Sequence, residues 1–154
     1  MTPAEYVNEV VLPTMREARD DRRSRRLAYL ACISVFHLKD HLVKAGEQGI
    51  ENAIRSSAGD AFDVCRAVCN GVKHGETNPN RHRINFSAGT DWHRPPAKAG
   101  VMRCGVSRLG DRIGGREIEA MGVRFDLYNA AKRTLRAYQA QYPTHLSGCD
   151  LSDL

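Results

Sequence analysis

Two groups of side chains in this 154-residue chain have types and spacing that suit chemistry. The first is His37-Leu38-Lys39-Asp40-His41. Histidines at i and i+4 on a helix project from one face, a spacing used by many zinc sites. A third ligand would have to come from Asp40 or His74, and Leu38 replaces the glutamate that follows the first histidine of metalloprotease helices. His37 and His41 are therefore candidate ligands only, and no metal or other cofactor is assigned. A carboxylate such as Asp40 can also orient an imidazole for proton transfer. The second group is Arg66, Asn70, Lys73 and His74. His74 and Gly75 end their helix, where a side chain can reach out toward a phosphate or a partner. If the chain is an enzyme, His74, Arg66, Asn70 and Lys73 are its candidate catalytic residues. The plainer alternatives are a hydrogen-bonded, partly buried histidine pair and the solvent face of an amphipathic helix.

The elements that must position these groups follow from pattern. Thr2-Pro3-Ala4-Glu5 is a capping box with proline at the first helical position. Pro13 should kink or interrupt the helix it opens. A second helix, about Asp21 to Lys44, carries Leu27, Ala31, Leu38 and Leu42 on one side, with His37 and His41 beside that stripe. Ile50–Arg55 is a short helical turn and 56–59 a loop. Asp60 reads as the N-cap of a third helix ending at His74-Gly75. Val64, Val68 and Val72 form its apolar stripe, and Asp63, Arg66, Asn70, Lys73 and His74 its polar face. Asn70 and Gly71 are poor helix formers for a plain surface.

Beyond Gly75 the pattern changes. Arg83–Ser87 reads as a strand, 89–100 as a loop, and Val101–Leu109 as a strand paired with Arg116–Val123 across a turn at 110–115. A final helix runs from about Phe125 to Tyr142, where Pro143 stops it. The expected fold is mainly α (α+β): a helical bundle with a small antiparallel hairpin or sheet before the C-terminal helix. One domain, 1–143, then contains a β region at about 81–123, and 144–154 is a loose tail.

Bulk properties narrow the classes. Charged residues are 27% and apolar residues 42% of the chain, as in globular domains. No apolar run approaches the roughly 20 residues of a membrane span, and Glu5 and Glu9 stand where a signal peptide would be basic. A cytoplasmic location is expected. Five cysteines, an odd number, argue against a disulfide framework. Cys32, Cys65 and Cys69 read as small buried hydrophobes. The charge of +5 is concentrated in residues 76–116, which hold eight Lys/Arg against three Asp/Glu. That segment could hold RNA or another polyanion, with Arg83, Trp92 and Arg94 as candidate binding residues. Gly110–Gly115 lacks the Lys-Ser/Thr of a phosphate loop.

An HxxD helix (His37, Asp40) followed by an NxxKH helix (Asn70, Lys73, His74) resembles small bacterial and phage proteins of uncharacterised function, over about residues 25–140. More remotely, an Arg…His helix in a bundle resembles the HEPN superfamily, many of whose members are metal-independent ribonucleases or nucleotide- or protein-binding relatives. The HEPN likeness implies that His74 exchanges the proton of the 2′-hydroxyl or leaving oxygen while Arg66 or Lys73 stabilises charge. Here seven residues separate Arg66 from His74, and Ala67 stands where the family has a polar residue.

The leading expectation is a small intracellular helical binding or interaction module with a buried or semi-buried His/Asp/Lys polar cluster that includes His37, Asp40 and His41. The alternatives are an HEPN-like ribonuclease or RNA binder, and a metal-dependent enzyme using His37 and His41. Whether the chain is an enzyme stays open at this point. A long apolar second helix and exposed sheet edges suit a homodimer.

Overall fold

The computed structural model describes residues 1–75, 77 and 83–154. Residue 76 and residues 78–82, part of the basic segment, lie outside the described residues.

The chain starts as the capping box foretells. The Thr2 hydroxyl accepts from the Glu5 N–H, and the Glu5 carboxylate accepts from the Thr2 N–H. Helix α1 (Pro3–Tyr6) passes through a π-helical turn, Val7–Val11, into α2 (Leu12–Asp20). The α-helical pattern is interrupted just before Pro13, by the π turn, but the helix does not end there. The Leu12 N–H reaches back five residues to the Val7 carbonyl, and this wider turn accommodates the proline that follows. Ser24 caps α3 (Arg25–Lys44) by accepting from the Leu27 N–H. That side-chain acceptor sets the start at Arg25, four residues later than the expected Asp21.

Helix α4 (Ile50–Ala58) is longer than the short turn expected and absorbs Ser56–Ala58. Ile50, Ile54 and Ala58 are all buried at helical spacing. Gly59, at φ +60°, separates it from α5 (Asp60–His74), so Asp60 is the first helical residue rather than the cap. Helix α6 is Leu127–Gln141, N-capped by Asp126. Helix α3 packs against both α5 and α6, and the core runs between them through Leu38, Leu42, Phe62, Val68, Leu135 and Tyr138.

The mainly α architecture with a small antiparallel sheet before the last helix holds, but its strands differ from expectation. They are β1 (Trp92–Arg94), β2 (Gly115–Ala120) and β3 (Val123–Asp126), in the order β1-β2-β3. Met121 and Gly122, both at positive φ, make the two-residue turn between β2 and β3. The expected strand over 116–123 therefore ends at Ala120. Residues 101–109 form turns, because Gly100, Gly105 and Gly110 all take left-handed φ and redirect the chain. Among the described residues Arg83–Ser87 adds no strand to this sheet, and only Ser87 makes a β-bridge; Thr77 and Gly75 pair locally with Phe86 and Ala88, and Ile84 and Phe86 are buried.

One face of the sheet is polar yet covered. Arg94 bonds Glu117 at 2.6 Å and Asp126 at 2.9 Å and pairs with Asp111 at 2.8 Å. Arg22 adds a 2.7 Å bond to Asp126, and Arg108 a 2.7 Å pair with Glu117. Three guanidinium groups thus match three carboxylates and pin residues 97–114 over the sheet.

The segment after Pro143, expected to be loose, is docked. Leu146, Cys149, Leu151 and Leu154 are buried, and Asp153 pairs with Arg16 and Arg19 of α2. Apolar side chains at that density gain more from burial than the segment loses by being ordered.

Candidate functional site

The α3–α5 seam brings the two sequence clusters side by side, and the atom that joins them is the Cys69 sulfur. Asp40 Oδ2 lies 2.7 Å from His37 Nδ1, one turn along α3. His37 Nε2 lies 3.4 Å from Cys69 Sγ on α5. Cys69 is buried, whereas the His37 and Asp40 side chains are each about half exposed (46% and 49%), so the chain of three groups runs from solvent into the seam. Among the described residues no hydrogen bond joins His37 or Asp40 to Asn70, Lys73 or His74.

His37 and His41 do not converge as a ligand pair. His37 is committed to Asp40 and Cys69, while the His41 ring stacks on Tyr6 at 4.0 Å. The Tyr6 hydroxyl donates to the Ser34 carbonyl, which fixes the stack from the other side. Burial, with Asp40 and Cys69 nearby, pushes the Tyr6 phenol up to about 12. Among the described residues no group of three potential His, Cys, Asp or Glu ligands gathers.

The catalytic set proposed on α5 does not assemble either. Arg66 is drawn to Glu51 of α4 at 3.5 Å, and Glu51 also bonds Lys39. His74 is exposed at the helix end, eight residues or about 12 Å along the axis from Arg66. Asn70 is half buried and Lys73 exposed. Asp63, expected on the same polar face, is instead buried against Arg55.

The basic segment divides into a buried and an open half. Arg94, expected to bind ligand, is 4% exposed and consumed by the sheet carboxylates. Arg83 is exposed and paired with Asp60 at 3.2 Å. Trp92 is half exposed, with the Arg124 guanidinium 5.3 Å from its ring centre. The open half was not singled out residue by residue in the sequence. Asp91, fully enclosed, accepts from Tyr29 at 2.6 Å and pairs with Arg25 and Arg116, tying the start of β1 to α3. Arg116 also donates to the Arg23 carbonyl at 2.7 Å. These contacts place His93 next to the turn between α2 and α3, where Asp21, Arg23, Ser24, His93 and Arg116 line an open cleft of about 440 Å³. Lys98, Arg112 and Arg23 line a second cleft beside it with Asp20 and Asp21. His93 titrates below the ordinary histidine range, first through burial and then through the positive charges of Arg116, Arg23 and Arg103. The run Arg22-Arg23-Ser24-Arg25-Arg26 was the available signal, and its relation to residues 93–116 is purely tertiary.

No helix among the described residues is long and apolar enough to cross a membrane. Comparison with protein-family models, curated proteins and solved structures finds no match to this chain.

Proposed function

We propose that this protein is a binding module for a phosphate-rich polyanion, single-stranded RNA, on the face formed by Arg23, His93, Arg103 and Arg116, with Lys98 and Arg112 beside it. The observation that carries the reading is the cationic surrounding of His93. Three arginines from two distant parts of the chain lie close enough to oppose its protonation. The nearby carboxylates offset this only in part. Asp91 is buried and already shared by Arg25, Arg116 and Tyr29, and Asp21 accepts from the Arg23 backbone N–H. An open cleft suits an extended backbone better than an enclosed small molecule, and the Trp92 ring, one residue along β1 and so on the opposite sheet face beside Arg124, is not part of it. A binding role is favoured over RNA cleavage because Arg66 and His74 are held apart.

Fluorescence anisotropy with a short labelled single-stranded RNA tests this. Binding should appear at low salt and weaken linearly in log salt, by a slope of about 0.7 for each phosphate neutralised. Arg23→Ser with Arg103→Ser should reduce affinity at every RNA sequence and flatten that slope. Parallel arms with DNA and heparin separate RNA recognition from general polyanion capture. No binding at low ionic strength, or unchanged affinity in the double variant, would overturn the reading.

A further inference from the structure

We propose that Cys69 is a reactive thiol served by His37 and Asp40 as a proton relay, and that its co-reactant is a small disulfide. This stands independently of the polyanion reading.

The hydrogen-bond chemistry fixes the direction of the relay. A carboxylate oxygen only accepts, so the hydrogen between Asp40 and His37 belongs to Nδ1. The neutral ring then presents the lone pair of Nε2 to Cys69 Sγ at 3.4 Å. The other buried thiols of the bundle have no such base. Cys32 Sγ donates to the Leu127 carbonyl, Cys65 Sγ to the Thr134 hydroxyl and Cys149 Sγ to the Ala4 carbonyl. A nucleophile within reach of a base that a third group orients is the general signature of an activated side chain.

The surroundings explain why a base is needed. Around Cys69 lie His37, Lys39 and Asp40 from α3, Lys73 and Cys65 from α5, and Tyr6 from α1. Burial raises the thiol above its ordinary range and outweighs Lys39 and Lys73, which act the other way. At neutral pH the resting group is S–H, and it becomes a nucleophile only as Nε2 takes the proton. The placement also narrows the chemistry. Cys69 lies inside α5, where its N–H is spent in the helical ladder, so no backbone donors stand ready for the oxyanion of an acyl transfer. Exchange with a disulfide develops no such oxyanion.

The step balances without any further reagent. The Cys69 proton passes to His37 Nε2 as Sγ attacks one sulfur of the disulfide, and the new S–S bond forms while the old one breaks. The departing thiolate takes the proton back from Nε2 and leaves as a free thiol. Asp40 holds the ring orientation and stabilises the transient imidazolium.

The test uses the full chain with exposed Cys104 replaced by serine, treated with oxidised glutathione or with 2,2′-dipyridyl disulfide and mapped by peptide mass spectrometry. Cys69 should be modified at least tenfold faster than Cys32 and Cys65 in the folded protein. His37→Gln should slow that modification about tenfold at neutral pH, and Asp40→Asn by a smaller factor, with unchanged circular dichroism and melting. The pH–rate profile should lose its neutral limb in His37→Gln and keep only the alkaline limb of the thiol's own ionisation. Modification of Cys69 no faster than Cys32 and Cys65 would overturn the proposal. So would fast modification that His37→Gln leaves unchanged, since exposure alone would then account for it.

Discussion

Gly71 of α5 lies against Phe86 so closely that a Cβ at this position would stand 2.5 Å from the ring Cδ1 and 2.7 Å from the Phe86 carbonyl oxygen. A helix interior normally disfavours glycine, and here the missing side chain makes the room in which Phe86 packs. The Phe86 N–H bonds the Thr77 hydroxyl and its carbonyl accepts from the Thr77 N–H, so the ring anchors the chain just beyond α5.

Gly71→Ala should therefore destabilise the protein although alanine is the better helix former. Propensity favours the change by about 1 kcal/mol, while forcing a methyl into a filled space costs roughly 1–3 kcal/mol. Urea unfolding should give a lower midpoint with an unchanged slope. A raised midpoint would show that the Phe86 contact is soft.

Arg94→Ala should cost more. It leaves Glu117 and Asp126 buried next to one another without their shared guanidinium, and breaking buried pairs of this kind costs about 3–5 kcal/mol. Chemical denaturation measures the loss, and Arg94→Lys should recover only part of it because an ammonium cannot span three carboxylates in one plane.

Acid should loosen the same region in the native protein. Burial works to raise the Asp111 carboxyl, but N–H donors from Gly114 and Ile113, with Arg94 and Arg22, hold it below the usual aspartate value. A carboxyl depressed in the folded state stabilises fully above its unfolded value, about 3.9, and that contribution fades as pH falls through the lower folded value. Stability measured from pH 6 downward should fall below about pH 4, and Asp111→Asn should remove part of that dependence.

His93 reports on the proposed polyanion face. Its titration is depressed by burial and by Arg116, Arg23 and Arg103, so bound polyanion, by screening those charges, should raise it. Linkage then requires binding to tighten as pH falls through the histidine range. NMR titration of the imidazole with and without RNA checks both signs. An unmoved His93 in saturated complex would place the ligand elsewhere.

Removing residues 144–154 should lower the melting temperature well beyond the effect of trimming a disordered end. Leu146, Leu151 and Leu154 are buried, and each such side chain contributes about 1.5–3 kcal/mol. Amide exchange in α2 should rise in the shortened chain, since Arg16 and Arg19 lose Asp153.

What the sequence by itself determined is local. The Thr2–Glu5 capping box, the Val64 and Val68 part of the α5 stripe (Val72, also assigned to it, is exposed), Gly75 as its C-cap and Pro143 after α6 all concern groups within one or two turns of each other. Helical periodicity and capping act over that range, so they were legible one segment at a time. The placement of His37 beside the α3 stripe also foretold that it needs partners.

Tertiary structure alone decided which partners. Cys69 read as a hydrophobe because nothing within its own helix distinguishes it from Cys65; only the crossing of α3 sets an imidazole 3.4 Å from one sulfur and not the other. Arg94 read as a surface cation because its carboxylates, Glu117 and Asp126, lie 23 and 32 residues away. Whether a charge meets solvent or a counter-charge depends on packing between segments. Local spacing carries no record of that packing, which is why both the relay and the cationic face emerged only when the helices and the sheet came together.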